Sequence, residues 1–169
     1  MKRVAIIGSG GTGKSTLAQQ LGTITNLPVY HLDALHWKPG WVPTPEDEWD
    51  QLMEELTSQD EWIMDGNYGR SMDTRLQRAD TVIFLDYPTR VSMYRAIKRA
   101  IRDYGKTRPD MGEGCNERYN AEFFKWVLHY RRYKRPGILK KLDKLKDQKK
   151  VYIFESPRQL KEFLEGVKE

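Results

Sequence analysis

Short apolar runs alternate with longer amphipathic stretches along this chain. Val4–Ile7, Val29–Leu32, Trp62–Met64, Thr81–Asp86 and Val151–Phe154 are each too short to be buried helices and too continuously apolar to be half-exposed strands. They read as five strands buried on both faces. Between them apolar residues recur every three or four positions. A helix opens at Leu17–Leu21. Another begins at Thr44 as cap with Pro45 in its first turn, its stripe formed by Trp49, Leu52, Met53 and Leu56. A short helix carries Met72, Leu76 and Ala79, and Thr89–Tyr104 carries Val91, Tyr94, Ile97 and Ile101. Two more are expected over Glu117–Arg132 and Gly137–Leu145, with Pro136 between them, and a last one starts at Pro157 with Leu160, Phe163, Leu164 and Val167. Two segments interrupt the pattern. Ala34–Pro45, rich in breakers and large aromatics, reads as a loop or arm, and Gly105–Gly114 as a mobile loop. Strands alternating with helices predict an α/β fold of three layers, a five-stranded parallel sheet covered on both faces. Ligands of such sheets lie beyond the carboxyl ends of the strands, so the residues just after each strand matter most.

After the first strand comes Gly8-Ser9-Gly10-Gly11-Thr12-Gly13-Lys14-Ser15-Thr16. Gly8 and Gly13-Lys14-Ser15 fit G-x-x-x-x-G-K-[ST], the phosphate-binding P-loop, in the strand–loop–helix context that the motif requires. Gly8, Gly10, Gly11, Thr12, Gly13, Lys14, Ser15 and Thr16 are therefore expected to cradle the phosphates of a nucleoside triphosphate, backbone N–H groups and the helix N-terminus facing the anion. Lys14 would reach the β- and γ-phosphates and the Ser15 hydroxyl would bind Mg²⁺.

Three other strand ends carry aspartates. Asp65, followed by Gly66, suits a carboxylate near the metal. Asp33 stands beside the aromatic arm, where it would accept a hydroxyl proton from an acceptor or hydrogen-bond a substrate, and Asp86 would fix a turn or cap the next helix through Thr89. Arg95, Arg99 and Arg102, at i, i+4 and i+7, share a narrow stripe before a glycine-containing loop. That arrangement suits a lid that neutralises a transferring phosphoryl group, or else a plain basic helix face. Arg70 and Arg75 would clamp an acceptor phosphate or serve as surface ion pairs. Trp37 and Trp41 would stack a flat substrate ring or anchor the arm. His31, His36 and His129 show no metal-ligand spacing and read as structural.

The net charge of +5 hides an asymmetry: residues 95–150 hold 18 Lys+Arg against 7 Asp+Glu. Such a segment faces polyanions, either nucleotide phosphates or a nucleic acid. Cys115 is the only cysteine, which excludes an intrachain disulfide and a thiolate metal cluster and fits a reducing compartment. No apolar stretch approaches the ~18 residues of a membrane span, and Lys2-Arg3 leads straight into a strand, so no secretory signal or membrane partner is expected and the location reads as cytoplasmic.

The P-loop, the strand ending in Asp65-Gly66 before Arg70, the basic lid-like helix and the late strand together resemble the nucleoside monophosphate kinase superfamily, the adenylate kinase-like branch of P-loop proteins. The stretch His31–Trp41, followed by Trp62–Tyr68, resembles more narrowly the bacterial DNA topology modulation (FlaR-related) proteins. The resemblance spans nearly the whole chain. It implies one P-loop kinase-like domain over residues 1–169, with 34–60 as an acceptor-side arm and 95–135 as a basic lid. It implies ATP and Mg²⁺ as cofactors, with Ser15 and Asp65 at the metal. Asp33, Trp37, Trp41, Asp65 and Arg70 fall on the acceptor side, and Lys14, Asp33, Arg95, Arg99 and Arg102 at the chemistry. Glu155-Ser156-Pro157 falls on the adenine side, Ser156 included. Gly66-Asn67-Tyr68-Gly69-Arg70 resembles the adenylate kinase Asp-Gly-Phe-Pro-Arg stretch, from which Asn67-Tyr68-Gly69 departs. The expected activity is phosphotransfer from ATP to a small acceptor; the alternative is a nucleotide-binding, DNA-associated regulator.

Overall fold

A computed structural model describes residues 1–167, and the first apolar run, β1 (Arg3–Gly8), lies at its centre. The other sheet strands are β2 (Val29–His31), β5 (Trp62–Asp65), β6 (Thr81–Leu85) and β7 (Lys150–Phe154), while β3 (Trp37–Lys38) and β4 (Val42–Pro43) form a separate antiparallel hairpin. The helices are α1 (Lys14–Thr25), α2 (Leu32–His36), α3 (Glu46–Thr57), α4 (Gly69–Arg78), α5 (Thr89–Arg102), α6 (Ala121–Tyr133), α7 (Arg135–Leu145) and α8 (Pro157–Val167). The five strands are parallel in the order β2-β5-β1-β6-β7.

Alternate residues of β1 feed two separate cores. Ala5 and Ile7 pack with Trp49 and Met53 of α3, Leu76 of α4 and Leu142 of α7. Val4 and Ile6 pack with Leu17 and Leu21 of α1, and α8 adds Leu160 and Phe163 at the margin. Each such side chain contributes about 1.5–3 kcal/mol on full burial, so the sheet faces, more than helix propensity, hold the outer layers in place. The register sets Ile6 beside Asp65 and Gly8 beside Leu85, which gathers the ends of β1, β5 and β6 at one edge.

The structure revises the expected elements at several points. Leu32 and Asp33 belong to α2 instead of the second strand, and the arm folds as a helix and a hairpin whose turn uses positive φ at Gly40 (77°) and Trp41 (61°). Thr44 does not cap α3. Its N–H and its hydroxyl both donate to the His36 carbonyl at 2.8 Å, satisfying the end of α2, and Pro45 takes the cap position. Pro136 lies inside the first turn of α7, where its missing N–H has no partner to lose. Asp86 does not cap α5. It is buried in an ion pair with Arg135 at 2.7 Å, with Arg131 at 3.8 Å. Gly105–Gly114 is docked on the arm: the Gly40 N–H donates to the Gly114 carbonyl at 3.0 Å and buried Cys115 donates to the Lys38 carbonyl at 3.2 Å.

The orientation of α5 is set by the P-loop. Its large apolar stripe faces outward, with Tyr94 65%, Ile97 44% and Ile101 76% exposed, while Ser92 and Ala96 point inward. The cause is a close approach to the P-loop. A Cβ on Gly11 would lie 2.2 Å from the Ser92 carbonyl oxygen and 3.0 Å from the Ala96 nitrogen, so this face of α5 admits only small residues. Gly11→Ala, at φ 76°, is therefore expected to destabilise the fold by roughly 1–3 kcal/mol in urea denaturation, and Ile101→Gln by less than about 0.5 kcal/mol. Equal losses would contradict the inward assignment of Ser92 and Ala96.

Candidate active site

The P-loop joins β1 to α1 at the gathered strand ends, pressed from two sides. α5 closes on Gly11, and α6 closes on Gly10, where a Cβ would lie 2.5 Å from the Phe123 ring and 2.9 Å from Val127 Cγ2. Gly10 thus packs against α6. The Thr12 hydroxyl donates to the Ser9 carbonyl at 2.8 Å inside the loop. Lys14 folds back to donate from Nζ to the same carbonyl at 2.9 Å. Burial lowers the Lys14 pKa, opposed by the charges of Asp33, Asp65 and Asp110 and reinforced by Arg99. Its ammonium is thus ringed by carboxylates.

Asp65 ends β5 beside β1 and is 4% exposed. One oxygen accepts the Ser15 hydroxyl at 2.8 Å and the other meets His31 Nδ1 at 2.5 Å. Burial is the largest influence on His31 and opposes its charge. The Asp65 hydrogen bond and the charges of Asp65, Asp110 and Asp33 together outweigh it, so the pKa stands above the usual 6.5. Among the described residues no group of three His, Cys, Asp or Glu side chains is set to hold a metal. A hydroxyl and a carboxylate at the mouth of a P-loop nevertheless fit Mg²⁺, which takes few protein ligands and completes its shell with water and phosphate.

The turn after β5 is fastened from beneath. The Asn67 amide accepts the Gly8 N–H at 3.1 Å and donates to the Gly8 carbonyl, tying β5's end to β1's. Arg75, fully buried, donates to the Gly66 and Tyr68 carbonyls at 3.1 Å, and burial lowers its pKa to about 10, so it stays charged at neutral pH. It therefore holds the turn and does not meet an acceptor phosphate. Tyr68, so oriented, donates to Asp33 Oδ1 at 2.7 Å. Burial, then the Asp33 charge, pushes the Tyr68 phenol well above its usual range.

A cleft of about 440 Å³ lies above the P-loop, lined by Lys14, Ser15, Thr16, Asp33, Arg95 and Arg99, with Arg102 at its rim. Arg95 also stands over the Tyr87 ring at 5.7 Å and borders a groove that runs to Pro157 and Leu160. Ser156 does not line that groove; its hydroxyl receives the Gln159 N–H at 3.4 Å. Arg102 is 70% exposed and pairs with Asp103. Asp33, Arg99 and Arg108 also line an adjoining chamber of about 190 Å³ walled by Trp37, Trp41 and Phe123. Arg70, expected on the acceptor side, lies outside both spaces and pairs with Asp50 and Glu46 on α3 at 2.6 and 2.8 Å. The reason is the acidic outer face of α3, which offers it carboxylates at the surface.

Several residues were not singled out by sequence. Arg108 and Asp110 sit in the docked loop, Arg108 meeting Asp110 at 3.4 Å and Glu117 at 3.2 Å. Glu117 also meets Arg99 at 3.2 Å. Charged residues between the glycines of a loop following a basic helix were the available signal. His31 and Asn67 carry no local signal, because their partners are 34 and 59 positions away.

A parallel sheet in this order with helices around it and a P-loop after its central strand define the P-loop kinase fold. Solved structures of that fold are similar over nearly the whole chain. A gluconokinase from Sinorhizobium meliloti 1021 matches with a TM-score of 0.54 at 16% identity, covering 98% of this chain and 89% of that one. A shikimate kinase from Bacteroides thetaiotaomicron matches at 0.57 and 15%, covering 98% and 95%, and one from Acinetobacter baumannii in complex with shikimate at 0.58 and 14%, covering 99% and 93%. In sequence, the chain is 29% identical over 133 residues to YqaC of Bacillus subtilis strain 168, described as an uncharacterized protein, covering 76% of this chain and 72% of that one. No protein-family model matches the chain. No helix of the described residues is long and apolar enough to cross a membrane.

The His31–Asp65 pair has a pH signature. With the folded pKa above the unfolded one, protonated His31 favours the folded state. This contribution is complete below the unfolded pKa of about 6.5 and is lost as pH rises through the folded pKa. In urea titrations from pH 5 to 9, His31→Gln is expected to remove that part of the decline with rising pH. An unchanged pH profile would contradict it.

Proposed function

We propose that this protein is an ATP-dependent kinase that transfers the γ-phosphoryl group to a small acceptor. The observation that carries the reading is Asp33, one carboxylate lining both the phosphate cleft and the adjoining chamber. Donor and acceptor spaces meet there, with Lys14 alongside. In this reading the P-loop amides and Lys14 hold the β- and γ-phosphates, and Ser15 and Asp65 hold Mg²⁺. When bound, the metal would withdraw charge from the phosphate oxygens. The nucleobase end runs along the groove between Arg95 and Pro157, beside Ser156. Residues 34–60 serve as the acceptor-side arm and 95–135 as the lid. Arg95 and Arg99 offset charge on the transferring group, and Arg102 joins them from the rim on closure. Asp33, its other oxygen fixed by Tyr68, takes the acceptor's hydroxyl proton. The narrower likeness to the topology modulation proteins, carried by His31–Trp41, belongs to the same reading.

The basic surplus that suggests DNA is partly spent inside the lid, where Arg99, Arg102 and Arg108 meet Glu117, Asp103 and Asp110, and so lends the DNA-associated alternative little support. Lys14→Ala is expected to abolish ATP turnover. Asp33→Asn is expected to lower kcat about 10²–10⁴-fold with ATP binding, followed by tryptophan fluorescence, unchanged. ATP consumption by Lys14→Ala at the wild-type rate would refute the reading.

A further inference from the structure

The chamber beyond Asp33 has a chemistry of its own, carried largely by the lid. We propose that lid-borne Glu117 is a specificity-determining residue that accepts one hydroxyl of a small polyhydroxylated acceptor, neutral or singly negative, while Asp33 accepts the hydroxyl to be phosphorylated. This rests on the kinase reading above.

Size comes first. At about 190 Å³ the chamber holds the equivalent of about six waters, at about 30 Å³ each, and falls short of the roughly 300 Å³ at which pockets for drug-sized ligands begin. A molecule the size of one small ring or short chain fits. The walls point the same way. Arg118 covers the Trp41 ring at 4.8 Å and Arg99 the Phe123 ring at 5.4 Å. These two faces are therefore not free to stack a nucleobase, and the remaining apolar surface suits the C–H groups of a saturated skeleton.

The polar groups then specify hydroxyls. Glu117 is 8% exposed and lines the chamber. Its Oε2 stands 3.2 Å from Nε of both Arg99 and Arg108, yet the angles make no hydrogen bond, and this buried oxygen has none. The two guanidinium groups balance its charge but leave its hydrogen-bonding capacity unmet, and a ligand O–H would fill it. Among the described residues Asp33 has one oxygen with no side-chain or backbone donor, the other being taken by Tyr68, and it is only half-buried. Two carboxylates call for two donors on the ligand. An ammonium would supply donors, but three guanidinium groups, Arg99, Arg108 and Arg118, line the same chamber against those two carboxylates. The surplus positive charge favours a neutral polyol or one bearing a single carboxylate. In the reaction the acceptor oxygen bonds to the γ-phosphorus, the bond from that phosphorus to the β,γ-bridging oxygen breaks, the hydroxyl proton passes to Asp33, and ADP leaves.

The test is phosphorus NMR of full-length protein with MgATP and three groups of compounds: polyols and polyhydroxy monocarboxylic acids of four to seven carbons, nucleosides with their monophosphates, and amino alcohols. A phosphomonoester is expected from the first group only. The preferred compound is then compared with its monodeoxy analogues. Wild type should discriminate tenfold or more in kcat/KM against loss of one non-reacting hydroxyl. Glu117→Met should erase that preference, and Glu117→Gln, which keeps an acceptor oxygen, should retain part of it. Should Glu117→Met fail to fold by circular dichroism, a reduced preference in Glu117→Gln carries the same test. If Glu117 only anchors Arg99 and Arg108, both variants lower all rates alike and leave the preference intact, which overturns the assignment. Product from nucleotides or amino alcohols alone overturns the acceptor class and leaves the kinase reading standing. No product from any group overturns both.

Discussion

Everything at this site depends on how closely two helices approach the backbone of the P-loop. α5 and α6 press on adjacent glycines, Gly11 and Gly10, at distances that leave no room for a Cβ. One contact brings Arg95 and Arg99 over the loop, because a helix seated on Gly11 through Ser92 must carry its next residues across the cleft. The other seats Phe123 against the loop and behind Arg99. The same closeness explains why the inward face of α5 is small and its bulky residues stand in solvent. Packing chemistry and phosphate chemistry are here one constraint.

The second organising feature is internal charge compensation. Lys14 lies among Asp33, Asp65 and Asp110, and Arg108 lies between Asp110 and Glu117, which also meets Arg99. Buried cations without such partners would be strongly destabilising. The arrangement leaves the cleft lined by more cations than carboxylates. The Gly105–Gly114 loop also reaches the P-loop electrostatically, since the charge of Asp110 opposes the lowering of the Lys14 pKa.

How much of this could be read in the sequence follows from the range of each interaction. The five strands, their parallel arrangement and the P-loop were legible, because apolar continuity and a contiguous motif are local signals. Lys14, Ser15, Asp33, Asp65, Arg95 and Arg99 were placed at strand ends or on one helix stripe, and the structure gathers them around one cleft. The outward face of α5 was not legible, because periodicity reports that a helix has an apolar stripe and cannot report that a backbone lies too near to receive it. Arg70 took its surface ion-pair alternative and Arg75 neither of its two, for a related reason: a basic residue after a strand end has the same local pattern whether it turns to surface carboxylates or is buried under carbonyls. Thr44 illustrates the point on a smaller scale, a good cap residue drawn away by unsatisfied carbonyls at the end of α2.

The docking of the Gly105–Gly114 loop on the arm ties these threads together. Its contacts with β3 and its neighbours are backbone and small-residue contacts: Gly114 sits against Pro39, Gly112 against the Ala34 and Trp37 carbonyls, and Cys115 against the Lys38 carbonyl. Few large apolar side chains hold it, Met111 being the main one. A segment fastened in this way is drawn from the low-stability end of a fold, able to open without disturbing either core. Arg108 in the loop and Glu117 and Arg118 just after it line the chamber beyond Asp33, while Asp110 lines the cleft above the P-loop. The chamber therefore owes part of its wall and its charges to a segment held mainly by backbone contacts.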